Sequence, residues 1–282
     1  MARISGVMIT LNEAHQVHWA IGSLAGWCDE IVLVDQHSDD ATAEIARSMG
    51  ATVIPHERTG GMADPARRFA VAQATGDWIV ILDADEMIPP ALARELRAIA
   101  DADAPVDVVW IPRANVVLGR WLQAGANWPN RHPRFFRAGH AEIGDRIHHS
   151  LKPRKGARVR RLDADPELAI WHYPGGDVSD YVRKVDRYTT IEARQADERG
   201  APVPRDREMV TAPLGYLWSH YVRVRGWRDG PTGLFVALSR AYYRTLIVAK
   251  RLETRRIEAR RSRVAASRDA LLGRIQVGRA HV

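Results

Sequence analysis

The sequence predicts an α/β protein with a mostly parallel central sheet flanked by helices and a helical extension at the C-terminal end. Three observations predict it. Short β-branched runs alternate with helical patterns over residues 4–100, the pattern of a parallel sheet with crossover helices. Polar residues follow those runs at their carboxyl ends, where an open α/β sheet places its ligands. From 201 to 282 the composition turns to aromatic, aliphatic and arginine residues at helical spacing.

In chain order, Ile4-Ser5-Gly6-Val7-Met8-Ile9 predicts a first strand, running into the polar turn Thr10-Leu11-Asn12-Glu13. Apolar residues at helical spacing predict a helix over 14–24. Ile31-Val32-Leu33-Val34 predicts the second strand, ending at Asp35, and a helix over 41–49 stops at Gly50, a residue suited to the left-handed turn past a helix end. A short third strand covers 52–54, and a helical segment over 66–74 leads to the fourth, Trp78-Ile79-Val80-Ile81-Leu82. After Pro89-Pro90 a helix is expected over 91–100. Strands are expected at 108–111 and 133–137, separated by a stretch rich in Gly, Trp and Asn that has no clean period and suits an acceptor-side wall or lid. A helix follows over 181–198 and a polar linker over 202–207. Residues 1–200 are therefore expected to form one domain in two halves, 1–100 and 101–200, and 201–282 a basic amphipathic extension.

A chain of 282 residues, 46% hydrophobic, can bury one ordinary α/β core with an appendage. One cysteine, Cys28, excludes an internal disulfide and suits a reducing compartment. Met1-Ala2-Arg3 leads straight into the first strand with no signal peptide, and no run reaches the ~18 apolar residues of a membrane span. The expectation is a cytoplasmic protein. The net charge of +7 is concentrated at one end: residues 240–282 hold twelve Lys/Arg against three Asp/Glu. No nucleic-acid module is recognisable, so no nucleic-acid partner is expected. An anionic membrane surface is the expected partner for this end, placing the protein peripherally on the inner face of the cytoplasmic membrane, with a solvated arginine-rich helix as the plain alternative. A second copy of the chain is a further partner to consider.

The chemistry concentrates in Asp83-Ala84-Asp85, at the exit of the fourth strand. Two carboxylates at i and i+2 beyond a strand can converge on one point. Hard divalent cations take a few carboxylate oxygens and leave their other positions to phosphate and water. Asp83 and Asp85 thus point to a divalent metal holding a diphosphate, against the alternative that they cap the next helix. Asn12 and Asp35 fall at the ends of neighbouring strands, which favours a site.

The motifs T-L-N-E, V-D-x-x-S-x-D-x-T, G-D-W-I-V-I-L-D-A-D-E and R-F-F-R-A-G-H-A-E-I-G-D-R-I-H-H together resemble family 2 glycosyltransferases of GT-A fold. Within that family they are most similar to the bacterial lipopolysaccharide-core β-glucosyltransferases. The resemblance covers roughly residues 4–195, and Gly230-Pro231-Thr232-Gly233 resembles that subgroup's C-terminal segment. It implies an inverting, metal-dependent transfer of a hexose from a nucleoside-diphosphate sugar, UDP-linked in the subgroup, to a saccharide or lipid-linked acceptor. By the same resemblance Asp83 would hold ribose and share the metal, Asp85 would bind Mn²⁺ or Mg²⁺, and Asp35 would accept from the nucleobase. Thr10, Leu11, Asn12 and Glu13 would border that base, and Arg67 would meet the diphosphate. The subgroup often reads V-H-E, with an Asp shortly before it, where this chain has Ile147-His148-His149 after Asp145, with His149 in place of the Glu. Asp145 and His149 stand level as the base that takes the acceptor proton, and His148 is a metal candidate. His172 matches a family histidine suited to donor phosphate or metal, with core packing as its alternative. Two other functions remain open: a sugar nucleotidyltransferase, disfavoured because Thr10-Leu11-Asn12-Glu13 is no glycine- and arginine-rich phosphate loop, and an inactive sugar-nucleotide-binding scaffold.

Overall fold

The computed structural model describes residues 1–59, 63–102, 105–144 and 151–279. Its first half is a run of strand–helix units. β1 (Ile4–Thr10), α1 (Val17–Leu24), β2 (Glu30–Asp35), α2 (Thr42–Ser48), β3 (Thr52–Pro55), α3 (Ala63–Ala72) and β4 (Trp78–Ile81) follow one another. β5 (Glu86–Met87), α4 (Pro90–Asp101), β6 (Val108–Val117), β7 (Arg120–Trp121) and β8 (Asn130–Arg137) come next. The short strands β9 (Ala141–Glu142), β10 (Lys152–Pro153), β11 (Val159–Arg161) and β12 (Ile170–His172) precede the helices α5 (Val178–Glu198), α6 (Glu208–Leu217) and α7 (Gly230–Arg279).

The main sheet runs β3-β2-β1-β4-β8-β6-β12-β5. Its β3-β2-β1-β4 half is entirely parallel, and β8 enters antiparallel to both β4 and β6. The expected α/β class, with a mostly parallel sheet flanked by helices and helices at the C-terminal end, is the one observed. The chain moves outward from β1 to β2 and β3, then returns to lay β4 on the other side of β1. That reversal of strand order is where such sheets open a crevice at their carboxyl ends.

Burial explains the register. β1, β2 and β4 are buried on both faces, as continuous apolar strands under helices on two sides must be. One core layer joins Ile4, Met8 and Leu33 to Ile21 and Leu24 of α1 and Leu92, Leu96 and Ile99 of α4. Trp78 stacks on Phe135 with centroids 4.6 Å apart, and the Arg137 guanidinium lies 4.8 Å from the Trp78 ring centroid. Cys28 packs against the same core, and burial followed by the charge of Asp29 pushes its thiol pKa well up. The turn before β4 needs Gly76, because a Cβ there would lie 2.6 Å from Ser5 Oγ and 2.9 Å from the Arg3 carbonyl oxygen.

Two compact units divide the chain. The first is Met1–Asp177 with His220–Leu234, and the second is Val178–Ser219 with Phe235–Val282. This division differs from the expected boundary at 200: α5 groups with the second unit, while residues 220–234 group with the first. Within the first unit, the buried Asp229 carboxylate accepts from the backbone N–H groups of Gln123 and Ala124, both at 3.0 Å. Gly125 has φ +68°, and Val224 lies so close that a Cβ on Gly125 would meet its Cγ2 at 2.7 Å. Within the second unit, Lys250 of α7 reaches Asp186, Thr189 and Thr190 of α5, and Arg251 pairs with Asp197 at 2.7 Å.

Candidate active site

The carboxyl ends of β2, β1 and β4 bring Asp35, Thr10 and Asp83 to one sheet edge, with Thr10 and Asp35 directly opposite in the β1–β2 register. Asp35 is buried and already held. Its Oδ1 accepts from Thr10 Oγ1 at 3.1 Å and from Ser38 Oγ at 2.6 Å, and its Oδ2 accepts from the Ser38 N–H at 2.9 Å. Asn12 takes a left-handed backbone, φ +58°, which asparagine tolerates better than most residues. Its N–H donates to Ser38 Oγ at 2.9 Å and its Oδ1 accepts from the Asp39 N–H at 2.8 Å, which locks the two loops together. The Glu13 N–H donates to Thr42 Oγ1 at 2.8 Å, its carbonyl starts α1, and Leu11 lies half-buried between. These residues form one hydrogen-bonded rim.

The two carboxylates of the Asp83–Asp85 turn have different surroundings. Asp83 Oδ1 accepts from Arg67 at 2.7 Å and its Oδ2 from Arg134 at 2.8 Å. The fully buried Glu86 lies behind it, with Oε1 3.0 Å from Arg134 Nη2 and 2.6 Å from Arg113 Nε. Glu86 Oε2 accepts from the Asp83 N–H at 3.0 Å, fixing the turn. Burial alone would raise the Asp83 pKa; the Arg134 and Arg67 guanidiniums overcome that and hold it well below the usual carboxylate range. Arg134 is shifted upward by the same carboxylates against the cost of its burial. Asp83, expected at the ribose and, with Asp85, at a metal, has both of its oxygens occupied by arginines. Arg67, expected at the diphosphate, sits on Asp83.

Asp85 faces a histidine. Its Oδ2 lies 3.1 Å from His172 Nε2, and its backbone carbonyl accepts from the Tyr173 N–H at 2.8 Å. His172 Nδ1 lies 3.0 Å from Asn115 Oδ1. The Asn115 amide nitrogen donates to the carbonyls of Arg113 and Asn127, so its oxygen is the atom turned to the imidazole. An amide oxygen can only accept, so Nδ1 carries the hydrogen there. In the neutral ring the Nε2 lone pair then points at a carboxylate. Two lone pairs 3.1 Å apart require a cation between them, a proton or a metal ion. A histidine whose second nitrogen donates to an oxygen is also how metal-bound histidines are oriented. Asp85 and His172 therefore fit a divalent cation as a two-residue ligand pair. Among the described residues, no three His, Cys, Asp or Glu side chains form a metal-holding group.

His132 lies on β8 two residues before Arg134. Burial, then Arg134 and Arg113, push its pKa from 6.5 to about 4, and its Nε2 is buried without a hydrogen-bond partner. Asp145, His148 and His149 lie outside the described residues. Sequence reasoning missed Arg113, Asn115 and Arg134. The local signal was a polar residue at alternate positions of an otherwise apolar strand, as in Arg113 and Asn115 of β6.

A family model described as glycosyl transferase family 2 matches residues 5–157. The lipopolysaccharide core biosynthesis glycosyltransferase LpsC of Rhizobium meliloti (strain 1021) is 27% identical over 264 residues, covering 91% of this chain and 94% of that protein. An uncharacterized glycosyltransferase of Rickettsia felis is 25% identical, covering 90% of this chain and 91% of its own. Among solved structures, S. aureus TarS 1–349 in complex with UDP is 16% identical with a TM-score of 0.46, covering 90% of this chain and 91% of that one.

Proposed function

The chain belongs to glycosyl transferase family 2, and on that premise we propose that it transfers a hexose from a UDP-sugar, with inversion, to a saccharide or lipid-linked acceptor of the cell envelope. The envelope acceptor is suggested by the relative named for lipopolysaccharide core biosynthesis. The observation that carries the metal-dependent chemistry is the facing pair of Asp85 Oδ2 and His172 Nε2, with Nδ1 committed to Asn115.

Asp85 and His172 would hold Mn²⁺ or Mg²⁺, which would supply positive charge to offset that of a diphosphate leaving group. The chain's own residues do the rest. Asn115 fixes the imidazole so that Nε2 presents its lone pair. Arg67, Arg113 and Arg134 neutralise Asp83 and Glu86, so the turn carrying Asp85 stays closed without needing a cation. The rim of Thr10, Leu11, Asn12, Glu13 and Asp35 borders the nucleobase. The proton of the acceptor hydroxyl goes to Asp145 or His149.

The test uses Asp85→Ala and His172→Ala. Each should lower UDP release by orders of magnitude and remove the Mn²⁺-dependent rise in melting temperature that the wild type should show with UDP. Near-normal turnover in both, or an unchanged Mn²⁺ effect, would sink the assignment. Asp145→Asn and His149→Ala separate the two bases: loss of the true one should cost roughly 10²–10⁴ in turnover with donor affinity retained.

A further inference from the structure

The second unit exposes apolar surface that its own packing does not use. On α6, Val210 and Leu214 are 60% and 57% exposed, and Trp218, the residue just past its end, is 58% exposed. A spacing of four puts them on one stripe of the helix. Leu238 and Tyr242 of α7, also four apart, are each 49% exposed, while Ala237, Ala241 and Val248 are buried. α5 already occupies another part of α7 through Lys250 and Arg251. Apolar stripes of this kind on a charged helical unit mark a surface that meets something else.

The charge identifies it. Residues 240–282 hold twelve Lys/Arg against three Asp/Glu. Past Arg251, the side chains of Arg255, Arg260, Arg261 and Arg263 are all exposed, and Ile257 and Val264 are exposed among them. We propose that this unit docks on an anionic lipid bilayer. Val210, Leu214, Trp218, Leu238 and Tyr242 enter the boundary of the acyl chains, and the guanidiniums meet lipid phosphates. No described helix is long and apolar enough to cross a membrane, so the mode is attachment along the surface. A second copy of the chain would bring the same surplus of positive charge against itself. A nucleic acid would leave the aliphatic stripe without a partner. The proposal uses no residue of the catalytic site and stands or falls apart from the transfer reaction.

The full chain is sedimented with phosphatidylcholine vesicles made with and without phosphatidylglycerol. Binding should require the anionic lipid. It should fall as salt rises from about 0.1 M to about 1 M, which shortens the Debye length from about 10 Å to about 3 Å. The double variant Leu214→Ser, Trp218→Ser should bind at least about tenfold more weakly. A variant carrying Arg255→Gln, Arg260→Gln and Arg261→Gln should lose about fivefold per charge. UDP affinity checks folding, and the arginine variant changes only exposed positions. Equal binding to neutral vesicles, no binding to anionic ones, or wild-type binding by the arginine variant would overturn the proposal. So would a dimer in sedimentation equilibrium that the Leu214/Trp218 variant dissociates while vesicle binding is absent.

Discussion

Asp83 and Asp85 stand two residues apart in one turn, yet their surroundings differ. Asp83 is neutralised by two arginines within 2.8 Å, while Asp85 lies 3.1 Å from the His172 imidazole. Asp35 is also engaged, by Thr10 and Ser38, beside the nucleobase contact proposed for it. Asp35→Ala should raise the Michaelis constant for donor more than it lowers turnover, because a base contact is uniform between ground and transition states. It should also lower stability by about 1–3 kcal/mol, because Thr10 Oγ1 and the Ser38 N–H lose their acceptor. Steady-state kinetics and urea melts read the two effects separately; a loss confined to turnover would contradict the base contact. His132 carries a pH signature. Its pKa in the folded protein, about 4, lies below the unfolded 6.5. Between those values the unfolded chain binds more protons, so the contribution is fully present above pH 6.5 and is lost as pH falls towards 4. A shift of that size is worth at most about 3 kcal/mol. His132→Gln should remove this part of the slope in urea melts between pH 7 and 4, and an unchanged slope would place the loss in other groups.

At the scale of elements, β6 and β8 build the site wall by cross-strand placement. Their antiparallel register sets Arg113 opposite Asn130, while Arg134 reaches across to Asp83 and Glu86. The loop between them is tied by Asp229, whose two oxygens accept from Gln123 and Ala124. Asp229→Asn keeps the size but leaves one acceptor for two N–H groups. It should cost about 1–3 kcal/mol, seen as a lower urea midpoint with an unchanged slope. No shift in the midpoint would mean that the loop finds other partners. The strands of the parallel half were legible in the sequence to within about a residue, because continuous β-branched runs between turn residues have few alternatives. The helix expected over 14–24 begins at Val17, since Gln16 and Val17 first bond back to the Glu13 carbonyl. β6 runs on to Val117 past Pro112, which reads as a breaker in the sequence yet lies opposite Arg131 with the ladder continuing beyond it. In the site, Asp35, Asp83 and Asp85 were legible as strand-end acids. The arginines that claim Asp83, and Asn115 that aims His172, were not: an alternation of polar residues marks a polar strand face, but which partners that face meets depends on pairing between strands far apart in sequence.

On the scale of the whole molecule, the chain leaves its first unit at Asp177, returns at His220 and leaves again after Leu234. A fragment ending at residue 200 therefore lacks Asp229 and Val224, both of which contact the 122–125 loop. It should have a lower urea midpoint than a fragment ending at residue 234, and equal midpoints would show that the returning segment contributes nothing. Cys28 offers a measure of the same property in the intact chain. It is the only cysteine, it packs against the core that joins β1, α1 and α4, and burial suppresses its thiolate. It is half-buried rather than sealed, so a thiol reagent attacks it slowly in the folded state, where the reactive thiolate is suppressed, and faster when the core opens. The part of its modification rate that rises with mild denaturant is then a built-in stopwatch for opening, with no engineered label. Where reclosing outpaces the reagent, the rate reports the open population; at high reagent concentration it reports how often the core opens at all.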